Sequence, residues 1–202
     1  MTIDKLVVIG CSAHGNLACE YLVPKLRLNN NAVIIVPHLW NKEISEVLKA
    51  YELKVETINH RRHINPGIVY VYGGNSKEIP NYGVQFSETQ GFRLDFGDNR
   101  ESGIINSIMS LAAQQYQEKT LGVILTGTGN DGSLGVKAIK ERGGKVLVQN
   151  EIENFWAFLN VLRLGYPEEF CPEMPQAAMQ AVNVDFCGPL PGLIDKINEY
   201  LK

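Results

Sequence analysis

Short apolar strands that each run into a tight turn and then a helix constrain this chain more than any other feature. Leu6-Val-Val-Ile-Gly10 and Ala32-Val-Ile-Ile-Val36 are apolar along their whole length, as strands must be when both faces of a parallel sheet are covered. Val69-Tyr-Val-Tyr72, Leu121-Gly-Val-Ile-Leu125 and Lys145-Val-Leu-Val-Gln149 continue the series. Between them the pattern predicts helices from about Gly15 to Leu28 and from Asn41 to Tyr51, where Ile44, Val47 and Leu48 fall on one face. Further helices are predicted over Gly103 to Tyr116, Ser133 to Arg142 (ended by Gly143-Gly144), near Asn154 to Arg163, over Pro175 to Val182 and from Leu190 to Leu201. Residues 73 to 99 are rich in Gly, Asn and Ser and are expected to form loops or hairpins, with weak strands at Val84–Phe86 and Phe92–Phe96. The alternation implies an α/β fold: a doubly wound, mostly parallel, Rossmann-like sheet with helices on both faces. In such sheets the chemistry gathers beyond the carboxyl ends of the strands.

A length of 202 residues suits one domain, 1–202, with one sizeable core. Hydrophobic residues at 45 % and charged residues at 20 % are those of an ordinary soluble globular protein. A net charge of -3 gives no support to a nucleic-acid surface, which needs clustered Lys and Arg. The one basic run, Asn59-His60-Arg61-Arg62-His63, reads as a solvated turn. Cys11, Cys19, Cys171 and Cys187 form no CxxC pair and no zinc spacing, so no metal site is expected and the thiols are expected to be reduced. Cys11 reads as a small packed residue. Asp4 and Lys5 interrupt any leader-like start, and the apolar runs are strand-length, far below the roughly 20 residues of a membrane span. A cytoplasmic location without membrane insertion is the expectation.

Three reactive side chains follow three buried strands. The first strand leads into Gly10-Cys11-Ser12-Ala13-His14-Gly15, the second into Pro37-His38, and the strand at 121–125 into a turn containing Asp131. A doubly wound sheet brings these ends to one rim, where a hydroxyl, an imidazole and a carboxylate make the inventory of a catalytic triad. Ser12 also precedes a helix, whose first backbone N–H groups lack intrahelical partners and can stabilise an oxyanion. Bland roles compete at each position: Ser12 as a helix N-cap, Asp131 as the cap of the helix beginning near Ser133, His38 as a rim histidine. His14 reads either as an exposed helix-start side chain or as a second imidazole facing the site.

The same turn supports a rival reading. Gly127-Thr-Gly129-Asn-Asp-Gly132 is a literal GxGxxG between strand and helix, with Glu151 placed like a ribose-binding acid. Against dinucleotide binding, Asp131 sets a carboxylate where a pyrophosphate would lie. The nucleophile elbow G-x-S-x-G fails at His14, and the order of Ser12, His38 and Asp131 differs from its Ser, acid, His order. No Gly-Lys-Ser/Thr follows a glycine-rich turn, which excludes a P-loop.

Several stretches resemble the catalytic domain of the CheB methylesterase family. They are Val7-Val-Ile-Gly-Cys-Ser-Ala-His-Gly15, Ile35-Val-Pro-His-Leu39, His63-Ile-Asn-Pro-Gly-Ile-Val-Tyr-Val-Tyr-Gly-Gly74, Gly143-Gly with the strand ending at Gln149, and Met174-Pro-x-x-Ala178. The most specific is Gly122-Val-Ile-Leu-Thr-Gly-Thr-Gly-Asn-Asp-Gly132. The resemblance implies Ser12 as nucleophile, His38 as general base and Asp131 as its orienting partner, with backbone oxyanion donors around Ala13 and Thr128. It implies hydrolysis of glutamyl methyl esters on the cytoplasmic helices of chemoreceptors, deamidation of certain receptor glutamines, and no metal or organic cofactor. A non-catalytic binding module on the same fold, with His14 and the altered rim holding a ligand, is the alternative. The chain departs from the family at Ala13 and His14, where threonine and glycine are usual, and at Thr128, where methionine is usual. A usual histidine is absent near Asn75-Ser76, Arg100-Glu-Ser-Gly103 replaces a Pro-Ser-Val-Asp segment, and residues 155–173 read as an insertion. The expected form is a stand-alone catalytic domain without a receiver domain, which leaves control by a separate regulatory protein open.

Overall fold

A computed structural model describes residues 3–38, 42–58, 64–73, 103–150 and 170–202. The elements are β1 (Leu6–Cys11), α1 (Gly15–Leu22), β2 (Ala32–Pro37), α2 (Lys42–Lys49), β3 (Val55–Ile58), β4 (Val69–Tyr72), α3 (Ile104–Tyr116), β5 (Thr120–Ile124), α4 (Ser133–Glu141), β6 (Lys145–Gln149), α5 (Glu173–Ala181), β7 (Phe186–Gly188) and α6 (Leu190–Tyr200). The seven strands among the described residues form one parallel sheet in the order β3-β4-β2-β1-β5-β6-β7.

Alternate side chains along β1 enter two separate cores, because successive residues of a strand point to opposite faces. Val7, Ile9 and Cys11 pack with Leu17 and Leu22 of α1, Ile44 and Leu48 of α2, and Leu190, Leu193 and Ile197 of α6. Leu6 and Val8 pack on the other side with Ile105, Ile108 and Met109 of α3, Val136 and Ile139 of α4, and Met174 and Ala178 of α5. Helices therefore cover both faces, and the uniformly apolar central strands follow from that double cover.

The first helix stops at Leu22 instead of reaching Leu28. Pro24 lacks the N–H that a continuing helix would need, and the chain tightens into a 3-10 turn over Val23–Lys25. Pro175 has the opposite standing: in the first turn of α5 its missing N–H costs nothing, so the helix begins two residues earlier, at Glu173. Two strands went unread in the sequence. β3 is an edge strand with only Ile58 fully buried, and β7 has three residues. The expected strands at 84–86 and 92–96, the expected helix at 154–163 and the basic run 59–63 lie outside the described residues.

β1 is flanked by β2 on one side and β5 on the other. From β1 the chain winds outward through β2 in one direction and later through β5, β6 and β7 in the other. The carboxyl ends of β1 and β5 therefore form the point at which the winding reverses, where such folds open a crevice for ligands. Among the described residues no helix is long and apolar enough to cross a membrane.

Candidate active site

Ser12 is the first residue beyond β1, at that reversal point. Its N–H donates to the Thr126 carbonyl at 3.0 Å, and its own carbonyl accepts the Gly15 N–H at 2.9 Å. A trans peptide points its C=O and N–H in opposite directions. With the Ser12 carbonyl turned into α1, the Ala13 N–H points away from the helix, and among the described residues it has no protein acceptor. Ser12 is not the N-cap of α1. That position belongs to His14, which sits in the left-handed region at φ 60° and ψ 10° and makes no side-chain cap.

Across the switch point, Gly127 lies hard against the serine. A Cβ there would come within 2.4 Å of Met174 Sδ and 2.8 Å of Ser12 Cβ, so only glycine fits. The Gly127 N–H donates to the Cys171 carbonyl at 3.0 Å, and its carbonyl accepts the Met174 N–H at 3.0 Å. By the same trans-peptide argument the Thr128 N–H points away from Met174. Thr128 is exposed, and among the described residues its N–H too has no protein acceptor.

His38 follows β2 as Ser12 follows β1. Cys11 and Pro37 are register partners, and the His38 N–H donates to the Cys11 carbonyl at 2.8 Å. Ser12 and His38 therefore leave neighbouring strands at the same level, about 5 Å apart by the spacing of paired strands. The His38 side chain is exposed.

Asp131 is buried, and its carboxylate is engaged by α3, a pairing that the sequence did not suggest. Oδ2 accepts the Ile105 N–H at 3.1 Å and Oδ1 accepts the Asn106 N–H at 3.0 Å, so Asp131 caps α3 and not the α4 helix that follows it. The carboxylate faces the partial positive charge of the α3 N-terminus. Gly103, at φ +79°, makes room for it: a Cβ there would stand 2.2 Å from Asp131 Oδ1. No hydrogen bond joins the side chains of Ser12, His38 and Asp131 to one another in this structure.

The nucleotide reading loses its footing at α4. The N–H groups of Gly132 and Gly135 donate to Asn106 Oδ1 at 2.9 and 2.8 Å, so the donors at the start of that helix are taken by a protein side chain. With the Gly132 and Gly135 N–H groups taken and the Asp131 carboxylate beside them, the start of α4 does not offer a pyrophosphate the donors or the charge that it needs. Among the described residues no three His, Cys, Asp or Glu side chains gather as a metal site.

Sequence reasoning passed over the residues that hold this rim in place. Gln149, fully buried at the end of β6, accepts the Thr126 N–H on Oε1 at 2.8 Å. The Thr126 hydroxyl accepts the Cys171 N–H at 2.8 Å and lies 3.3 Å from the Ala13 carbonyl. The available signal was a polar residue at or just beyond the end of a largely apolar strand, as Gln149 and Thr126 are, because a buried polar group must find a partner. Cys11 and Cys19 are packed free thiols with sulfurs 3.9 Å apart, and the hydrogen bond between them together with burial pushes the Cys19 thiol well up.

The model of the CheB methylesterase family matches residues 7–155. A relative from Leptospira interrogans is 29 % identical over 187 residues, covering 89 % of this chain and 86 % of its own length. The protein-glutamate methylesterase/protein-glutamine glutaminase 1 of Carboxydothermus hydrogenoformans is 33 % identical over 153 residues, 73 % of this chain and 45 % of its own. The corresponding Escherichia coli K12 enzyme is 27 % identical over 157 residues, and this chain covers 43 % of it. The chain thus aligns with less than half the length of those two enzymes. The crystal structure of the Thermotoga maritima CheB methylesterase catalytic domain superposes with a TM-score of 0.76 at 25 % identity, over 96 % of this chain and 97 % of that one.

Proposed function

The chain belongs to the CheB methylesterase family, and on that footing we propose that it is a serine hydrolase that cleaves glutamyl methyl esters on chemoreceptor proteins. One observation carries the reading: Ser12 stands at the switch point of the sheet against Gly127, and the backbone N–H groups of the next residue on each side, Ala13 and Thr128, have no protein acceptor among the described residues. A hydroxyl with unpaired donors close by is what an ester carbonyl requires when it becomes a tetrahedral oxyanion.

The residues divide the reaction as follows. Ser12 Oγ attacks the ester carbonyl carbon while His38 takes the hydroxyl proton. The oxyanion rests on the Ala13 and Thr128 N–H groups. Collapse breaks the bond to the methoxy oxygen, and His38 returns the proton so that methanol leaves. Water, deprotonated by His38, then opens the acyl-enzyme to a glutamate carboxylate and free Ser12. Side-chain rotation brings Ser12 Oγ and His38 together from neighbouring strands, as catalytic contacts often tighten only with substrate bound. Asp131 orients the imidazole while the α3 N-terminus fixes its carboxylate. The second activity in the names of the relatives, glutamine deamidation, uses the same acyl-enzyme with ammonia as the leaving group.

The substrate proposed is the methylated cytoplasmic helix of a chemoreceptor, and the place of action the cytoplasm. The test is methanol release from a methyl-esterified chemoreceptor cytoplasmic fragment. Wild type should release methanol and Ser12→Ala should not; equal release by both, or none by folded wild type, rejects the proposal.

A further inference from the structure

We propose that the Thr126 hydroxyl is a positioning group that ties the two halves of the oxyanion site into one rigid unit. The inference rests on the methylesterase reading. Thr126 is fully buried, and every polar atom it has is committed. Its carbonyl takes the Ser12 N–H at 3.0 Å and its N–H goes to Gln149 Oε1 at 2.8 Å. Those two bonds fix the main chain of Thr126 whatever its side chain is.

The hydroxyl does something separate. It accepts the Cys171 N–H at 2.8 Å, and of the two carbonyls within reach of its single proton, that of Ala13 at 3.3 Å is nearer than that of Cys171 at 3.5 Å. The first bond anchors the segment 171–174, whose Met174 N–H holds the Gly127 carbonyl and thereby the Thr128 N–H. The second bond holds the Ala13–His14 peptide. The peptide before it, Ser12–Ala13, is already held by Gly15. Ala13 is thus fixed at both its peptide planes, and its N–H has one direction. A single buried oxygen therefore braces the surroundings of both donors, one through the Ala13–His14 peptide and one through Cys171 and Met174.

Among the described residues the hydroxyl has no hydrogen-bond partners besides these. Its methyl fills a buried space that valine would fill equally, and the main-chain bonds do not involve it. Thr126→Val removes only the hydroxyl at nearly constant volume, and Thr126→Ser restores it. Deleting an oxyanion donor costs about 10²- to 10³-fold in kcat; loosening two donors without removing either should cost about tenfold.

The experiment compares wild type, Thr126→Val and Thr126→Ser by two readouts. One is kcat and KM for a methyl-esterified receptor fragment; the other is backbone amide exchange over residues 12–15, measured by mass spectrometry. Thr126→Val should lose about tenfold in kcat with KM within twofold, and residues 12–15 should exchange faster. Thr126→Ser should recover kcat to within about threefold of wild type and restore the exchange. Wild-type kcat and exchange in Thr126→Val, or a Thr126→Ser enzyme as impaired as the valine variant, overturns the proposal. If Thr126→Val does not fold, Thr126→Ala against Thr126→Ser decides by the same readouts. Folded wild type without turnover rejects the methylesterase reading, and the exchange data then decide the role of the hydroxyl alone.

Discussion

Asn106 and Asp131 bind each other's helices in both directions. The Asn106 backbone N–H donates to Asp131 Oδ1 at 3.0 Å, while the Asn106 side-chain oxygen accepts the N–H of Gly132, the residue after Asp131, at 2.9 Å. The start of α3 is capped from the β5–α4 turn, and the start of α4 is capped from α3. The carboxylate proposed to steer His38 is held by this reciprocal arrangement.

Removing the Asn106 side chain should therefore loosen the turn that carries Asp131. Asn106→Ala leaves the buried Gly132 and Gly135 N–H groups without their acceptor, and an unsatisfied buried donor costs about 1–3 kcal/mol. We expect Asn106→Ala to lower unfolding stability by about 2 kcal/mol or more, read as a shift of the urea midpoint at constant m-value. Wild-type stability in this variant would show that water replaces the acceptor and that the two helices are not held through Asn106.

The left-handed backbone of His14 makes a second test. At φ 60° a side chain with a branched Cβ is strained, glycine is not, and histidine lies between. Stability should follow the order Gly, His, Val at position 14, with His14→Val below His14→Gly by about 1–2 kcal/mol. Thermal or urea unfolding of the three proteins gives the order directly. A valine variant as stable as the glycine variant would mean that the nucleophile turn relaxes out of this conformation.

Buried tyrosines weaken the fold at high pH; burial raises Tyr72 as well as Tyr116 and Tyr200. Burial, with the neighbouring Tyr70 phenol as the smaller cause, pushes Tyr116 up to about 12. Burial, helped by nearby Glu118, pushes Tyr200 up to about 12. In the unfolded chain a tyrosine titrates near 10. The folded state thus binds the phenolic protons more tightly, so their contribution is complete below pH 10 and is lost as the pH rises from about 10 to 12. Unfolding stability should fall over that window and be flat just below it as far as these groups are concerned. Double replacement of Tyr116 and Tyr200 by Phe should shrink the fall. An unchanged alkaline slope in the double variant contradicts the assignment.

Much of this architecture was legible because double cover leaves a plain mark. Ile9, Val33 and Val123 sit in strands with no polar face, and only a parallel sheet between two helical layers makes such strands. β3 left no such mark, because Glu56 and Thr57 in it answer to solvent at the sheet edge and not to a core. The site was legible as residue types at strand ends, which put Ser12 and His38 on adjacent strands through the Cys11–Pro37 pair. The partner of Asp131 was not. A carboxylate in a β–α turn can cap its own helix or one from another part of the chain, and the bond to Ile105 spans 26 residues that no local pattern relates. Thr126 was hidden for the same reason: its hydroxyl meets Cys171, 45 residues away.

The nucleophile itself can be identified by covalent capture. Intact protein incubated with a fluorophosphonate and then digested should carry one phosphonyl group, on the peptide containing Ser12. Ser12→Ala should carry none and His38→Ala should be labelled far more slowly. A folded wild-type protein that stays unlabelled, or that is labelled at another residue with Ser12 untouched, would contradict the account.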